Sequence, residues 1–203
     1  FEMEARWILR GFPRDASRIL DIGCGIGALF PLIGVSRVVG IDYAYAGLRR
    51  TRERFPATRL ACGDGAALPF ADKSFDAIAA QHVVEHLPDA ASACKEWRRV
   101  LHSGGRLIIV TPNAEFCDPS IFDDPTHVRL FNRRSLRQTI ESSGLIVEHI
   151  STLGLPWFRQ YRTLPGGWRL RRALLRRAAM VARLPRIRWA GQSLCCVARR
   201  SDR

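Results

Sequence analysis

The feature that most restricts this chain is LDIGCGIG at residues 20–27, a short apolar run ending in glycines at every second position. Glycine allows a sharp backbone turn and the close approach of a ligand, and a helix starting beyond it offers unpaired N–H groups. Strand, glycine turn and helix in that order mark a loop that holds a nucleotide-type cofactor.

The rest of the chain follows the same alternation. Apolar runs of strand length lie near 18–22, 37–42, 58–64, 75–81, 106–112, 146–151 and 193–199, and helical patterns near 26–33, 45–54, 89–101 and 133–143. The opening segment is compatible with one more helix. HSGG at 102–105 reads as the turn between a helix and the next strand, and Gly144 follows RRSLRQTIESS as a C-cap would. Such alternation implies crossover connections and a mainly parallel α/β sheet, with ligands beyond the carboxyl ends of its strands. The 203 residues, 47% apolar and 25% charged, suffice for one domain with a full core, and no repeat divides them.

The glycines alone leave the cofactor open, because Gly23, Gly25 and Ala28 also satisfy the GxGxxG/A pattern of dinucleotide dehydrogenases. Asp21 shifts the balance. A carboxylate two residues before the first glycine sits poorly with a pyrophosphate but suits a ligand bearing an ammonium and a sulfonium; its plainer role is to cap the following turn. Asp42, ending VVGID, stands where an acid meets ribose hydroxyls in either nucleotide class. Asp64, in CGDGAALPF, has no use in a dehydrogenase but can accept a hydrogen bond from an adenine amino group.

The ordered set LDIGCGIG, VVGID, CGDGAALPF, SFDAI, QHVVEHLPD and RVLHSGGRLIIVTPN resembles the class I methyltransferases that use S-adenosylmethionine, in particular the type 11 group, over residues 18–150. The resemblance implies a doubly wound, Rossmann-like sheet of seven mostly parallel strands with an antiparallel last strand. It also implies a methyl transfer of the EC 2.1.1 class, with S-adenosylmethionine as cosubstrate. Carried over, Gly23, Gly25 and Gly27 surround the methionine moiety with Asp21 nearby, and Asp42 holds the ribose. Tyr43 flanks the adenine, Asp64 and Gly65 read its edge, and Gln81 covers the cofactor near its sulfur. A pyridine-nucleotide dehydrogenase and a cofactor-binding relative without catalysis are the rival readings.

In QHVVEHLPD, His82, Glu85 and His86 fall at i, i+3 and i+4, which on a helical turn puts all three on one side, as a general base or a divalent metal site needs. Some quinone-pathway O-methyltransferases of similar sequence carry metal-binding acids in this segment. His82 replaces one of those acids here, so a structural role is expected and a metal is not. The long stretch 116–136 includes THVRLF, and His127 within it is the first choice for a general base or an acceptor-positioning residue, with packing against the sheet as its plainer role.

The net charge of +13 is unevenly placed: residues 151–203 hold 13 arginines and one acid, Asp202. Segment 156–191, an Arg-rich insertion before the last strand, reads as a basic amphipathic helix with Trp157, Trp168 and Trp189 on or near it. It suits an anionic membrane surface, as an enzyme acting on a lipid or a quinone-like small molecule needs. A nucleic-acid or protein acceptor ranks second, since no NPPY-like tetrapeptide or proline-cysteine nucleophile segment of the base methyltransferases occurs, and a solvated cover on the sheet is the bland alternative.

No run of 18 apolar residues occurs, and FEMEARWILRGF mixes charges into its apolar residues, unlike a signal peptide. Cysteines 24, 62, 94, 117, 195 and 196 form no CxxC pair. Free thiols in a cytoplasmic chain, at most at the inner face of the membrane, are the expectation. The chain opens on Phe1 rather than Met, as a trimmed start would. Nothing in the sequence bears on the oligomeric state.

Overall fold

The computed structural model describes residues 2–115, 124–153 and 193–201. The basic segment 156–191, with its expected helix, and Cys117 lie outside the described residues. Seven strands form one sheet in the order β3-β2-β1-β4-β5-β7-β6. They are β1 (Ile19–Ile22), β2 (Val38–Asp42), β3 (Arg59–Cys62), β4 (Phe75–Gln81), β5 (Leu101–Pro112), β6 (Leu145–Leu153) and β7 (Ser193–Arg200). β7 runs antiparallel to both β5 and β6, and the pairs among β1 to β5 are parallel.

Strands buried on both faces need helices on both sides. On one face lie α1 (Glu2–Gly11), α2 (Phe30–Ile33) and α3 (Tyr45–Arg54), whose Ala5, Ile8, Phe30 and Leu48 pack with Ile19, Ile108 and Val197. On the other lie α4 (Ala90–Val100) and α5 (Arg133–Ser142), whose Cys94, Trp97, Leu136 and Ile140 pack with Leu20, Ile78, Leu107 and Cys196. Alternate residues of each strand thus feed separate cores. Local signals start the helices on this second face. Asp89 caps α4 by accepting from Ser92 N, and Asn132 and Ser135 cap α5 reciprocally.

Two expected boundaries change. The helix expected over 26–33 shrinks to Phe30–Ile33, because Gly23, Gly25 and Gly27 have φ of +70°, +52° and +71°, outside the right-handed helix, and Pro31 fits only a first turn. HSGG does not precede the fifth strand but lies within it. β4 pairs Phe75 with Leu101 and then Ala77 with Arg106, so residues 102–105 bulge out of the ladder, with Gly104 at φ +76°.

The chain runs from β1 outward through β2 to β3, then returns to β4 on the other side of β1, so the topology reverses between β1 and β4. Loops diverge there, leaving a crevice at the carboxyl ends. The loop after β3 is held to α4 by Trp97 Nε1, which donates to Gly65 O at 2.7 Å, and by Arg99. The Arg99 guanidinium bonds Glu96, Asp72 and the carbonyls of Leu68 and Phe70. Replacing Trp97 by Phe keeps most of the buried ring and leaves Gly65 O without its donor, so urea unfolding is expected to show a loss of about 1–3 kcal/mol.

Candidate active site

All nine residues expected to hold the cofactor lie at the carboxyl ends of β1 to β4 or in the loops that follow. Gly23 is forced: besides its positive φ, a Cβ there would lie 2.4 Å from Val83 Cγ2, so the loop after β1 and the loop after β4 touch only because Gly23 has no side chain. Two residues on, a Cβ at Gly25 would meet nothing within 4 Å, so the backbone faces open space there. Asp42 braces the loop, its Oδ2 accepting from Gly25 N and its Oδ1 from Ala44 N, both at 2.7 Å. Thr51 Oγ1 donates to Gly25 O at 2.8 Å. A carboxylate has about four acceptor positions, so Asp42 keeps capacity for hydroxyls. Tyr43 is 86% exposed next to it. Asp64 Oδ1 accepts from Ala66 N at 2.8 Å, an Asx turn at the end of β3, and Gly65 follows.

Asp21 is buried, with no hydrogen bond or ion pair among the described residues. Burial, and then the charge of Asp42, push its carboxyl up to about 8. A carboxyl in that condition gains most from a cation placed beside it, and a cofactor bearing an ammonium and a sulfonium brings one. The residues therefore fit the expected ligand.

At the end of β4 the structure departs from a simple helical turn. His82 sits at φ +54°, and only Val84–His86 form a short 3₁₀ turn. His82, Glu85 and His86 therefore do not lie on one helical turn. His82 Nε2 lies 3.3 Å from Glu4 Oε1 of α1, and its Nδ1 lies 3.3 Å from Glu85 Oε1. Burial disfavours the charged ring, but Glu4 and Glu85 on either side outweigh it and raise His82 to about 9. An imidazolium at neutral pH holds no lone pair to act as a base. Glu4 also accepts from Ser193 Oγ at 2.5 Å and from Gln81 Nε2 at 2.9 Å, so Gln81 is engaged by α1.

Glu85 is fully buried, and its Oε2 accepts from Thr111 Oγ1 at 2.9 Å. His86 turns the other way, toward the loop before α5: its Nδ1 is 2.9 Å from Thr126 O, and its ring centroid is 4.8 Å from that of His127. Val128 N and Arg129 N both donate to Glu85 O, which fastens that loop to the β4 loop. His127 is thus brought to Glu85 and His86 from 41 residues away. Sequence reasoning missed Glu4, Ser193 and Thr111, and no local pattern marks them, since each becomes polar machinery only through strand pairing or helix docking.

A cavity of about 340 Å³ lies at the opposite, amino ends of the strands, lined by Arg18, Arg37, Arg59, Phe70 and Phe75 among others. It is remote from these residues and takes no part in the site.

Two groups set a pH dependence of stability in the same direction. Asp21, raised to about 8, carries a proton in the native state that the unfolded chain gives up above about pH 4, so stability falls as pH rises across that window. His82, raised to about 9, contributes fully below about pH 6.5 and loses its contribution as pH rises through 9. The melting temperature is expected to fall from pH 6 to pH 9. Asp21→Asn removes the first component and raises the melting temperature at pH 8 by about 4 °C or more, measured by calorimetry at several pH values.

Comparison with known proteins agrees with this fold. Residues 20–109 match the family described as a methyltransferase domain. Over 141 residues the chain is 36% identical to a probable S-adenosylmethionine-dependent methyltransferase of Mycolicibacterium smegmatis, covering 68% of this chain and 54% of that one. It is 33% identical over 111 residues to a demethylmenaquinone methyltransferase of Corynebacterium kroppenstedtii, covering 54% and 46%. The chain thus spans about half the length of these relatives. An S-adenosylmethionine-dependent methyltransferase structure from Mesorhizobium loti superposes with a TM-score of 0.71 at 18% identity, covering 98% of each chain, which shows the shared fold. By its motifs, its strand order and these matches, the chain belongs to the class I S-adenosylmethionine-dependent methyltransferases.

Proposed function

We propose that this chain transfers the methyl group of S-adenosylmethionine to a small-molecule, lipid or quinone-like acceptor. The observation that carries the reading is Asp21, a buried carboxyl without an ion-pair partner among the described residues, beside a glycine loop whose Gly25 faces open space. A dehydrogenase cofactor brings phosphate charge to such a loop, where Asp21 would oppose it. A sulfonium cofactor brings the charge that Asp21 lacks. Asp42 and Asp64 then serve the ribose and the adenine edge, Tyr43 and Gly65 flank the base, and Gly23, Gly27 and Gln81 close around the methionine moiety.

Methyl transfer from a sulfonium is an in-line displacement, so alignment and removal of the acceptor's proton are the main tasks. His86 and His127 suit the second task. His86 is in the loop after β4, which packs against Gly23, with His127 beside it, and His82 is excluded as a base by its charge. That a demethylmenaquinone methyltransferase is among the relatives supports a quinone-like acceptor. Among the described residues no helix is long and apolar enough to cross a membrane. The 13 arginines of 151–203 support docking of the 156–191 segment on an anionic membrane, the place where such an acceptor resides.

Titration calorimetry with S-adenosylmethionine, S-adenosylhomocysteine and NADH tests the cofactor. Micromolar binding of the adenosyl ligands, lost in Asp42→Ala and absent for NADH, is expected; binding of NADH alone overturns the reading. In a screen of phenols and lipids, His127→Ala is expected to lower kcat by about a hundredfold or more while leaving S-adenosylhomocysteine binding unchanged. Flotation with anionic and neutral liposomes tests the membrane contact, and equal binding to both, or to neither, refutes it.

A further inference from the structure

The cluster formed by Glu85, His86 and His127 has more built into it than an acid–base pair requires. One donor atom from each of the three lies within 4.8 Å of the others. Glu85 is fully buried, and its Oε1 makes no hydrogen bond, although His82 Nδ1 stands 3.3 Å away. The His82 imidazolium balances part of its charge, but a buried carboxylate oxygen without a hydrogen bond is incompletely satisfied, and a further positive group would complete it.

Each imidazole has a polar partner. His86 Nδ1 donates to Thr126 O at 2.9 Å, which leaves Nε2 with its lone pair, and the Asp124 carboxylate lies 3.8 Å from His127 Nε2. Histidines that ligate metals almost always have such a partner, a carbonyl or a carboxylate, on the other nitrogen. The main chain reinforces the arrangement, because Val128 N and Arg129 N hold the His127 loop to Glu85 O.

We propose that Glu85, His86 and His127 bind a divalent first-row metal ion at the acceptor side of the site. Two imidazole nitrogens and one carboxylate suit Zn²⁺, Mn²⁺, Fe²⁺ or Co²⁺ better than Mg²⁺ or Ca²⁺. Donors around an ion at about 2.0–2.2 Å lie roughly 3–4 Å apart, so the three close by about 1 Å on binding. His82 is not a ligand, since its two ring nitrogens face Glu4 and Glu85. The expectation that no metal binds rested on His82 standing in place of an acid. The fold supplies the third donor from a different loop.

The use of the ion rests on the methyltransfer reading and takes the place of direct proton transfer to His86 or His127, whose ring nitrogens it would occupy: it would hold an oxygen of the acceptor and lower its affinity for its proton. For a hydroxyl acceptor, the O–H proton leaves to solvent and the oxygen's electron pair forms the bond to the methyl carbon. The pair of the broken S–C bond stays on sulfur as a neutral thioether.

The test is titration of the full chelator-treated chain with Zn²⁺, Mn²⁺ and Co²⁺, read by calorimetry, by visible absorption of the Co²⁺ form and by the shift in melting temperature. One ion per chain is expected, with affinity at least about tenfold weaker in His86→Gln and in His127→Gln, and circular dichroism spectra unchanged. S-adenosylhomocysteine binding, measured on the same samples, stays intact in both variants. No ion binding by the unsubstituted chain, or equal binding by both variants, overturns the site. Ion binding without S-adenosylhomocysteine binding removes the cofactor reading and leaves the site standing.

Discussion

The contact on which the site depends is the one between Gly23 and Val83. Any side chain at Gly23 would drive the loop after β1 from the loop after β4, since a Cβ would fall 2.4 Å from Val83 Cγ2. With hydrogen alone at that position, the two loops on either side of the topological reversal meet. Asp42 and Thr51 then pin Gly25 from β2 and α3. The cofactor loop and the segment carrying His82, Glu85 and His86 are thereby parts of one surface.

Burial of charge is solved in two opposite ways within that surface. Glu4, His82 and Glu85 compensate one another: the imidazolium is held between two carboxylates, and Glu4 is pulled down to about 2, burial being outweighed by His82 and Ser193. Asp21 is left without compensation and responds by holding its proton. A network of opposite charges rigidifies, whereas an unpaired buried group stores free energy that a ligand of the right charge releases. The first ties α1, β4 and β7 together, since Glu4 also takes Gln81 and Ser193. The second leaves one place where a cation is favoured.

The loop before α5 joins this surface through main-chain bonds rather than side chains. Val128 and Arg129 both donate to the Glu85 carbonyl, and the Thr126 carbonyl accepts from His86. Backbone groups carry no residue-specific signal, so His127 looked like an isolated candidate in the sequence although it has His86 at 4.8 Å. The same reasoning applies to HSGG. Its turn chemistry is real, but the register shift between Phe75 and Ala77 makes it a bulge inside β5.

The sequence by itself determined the class of fold and the position of the glycine loop. Strand and helix periods, the glycines of LDIGCGIG and the acids at strand ends are local properties, and they act wherever the chain places them. Asp21 stood out by its place two residues before the first glycine, and Asp42 and Asp64 because each follows an apolar run of strand length. Only the tertiary structure decided which polar groups share an environment. It set His82 between Glu4 of α1 and Glu85, and His127 beside Glu85 and His86. Those outcomes depend on strand order, on a positive φ at residue 82 and on helix docking, and none of these is encoded within reach of the residues they affect.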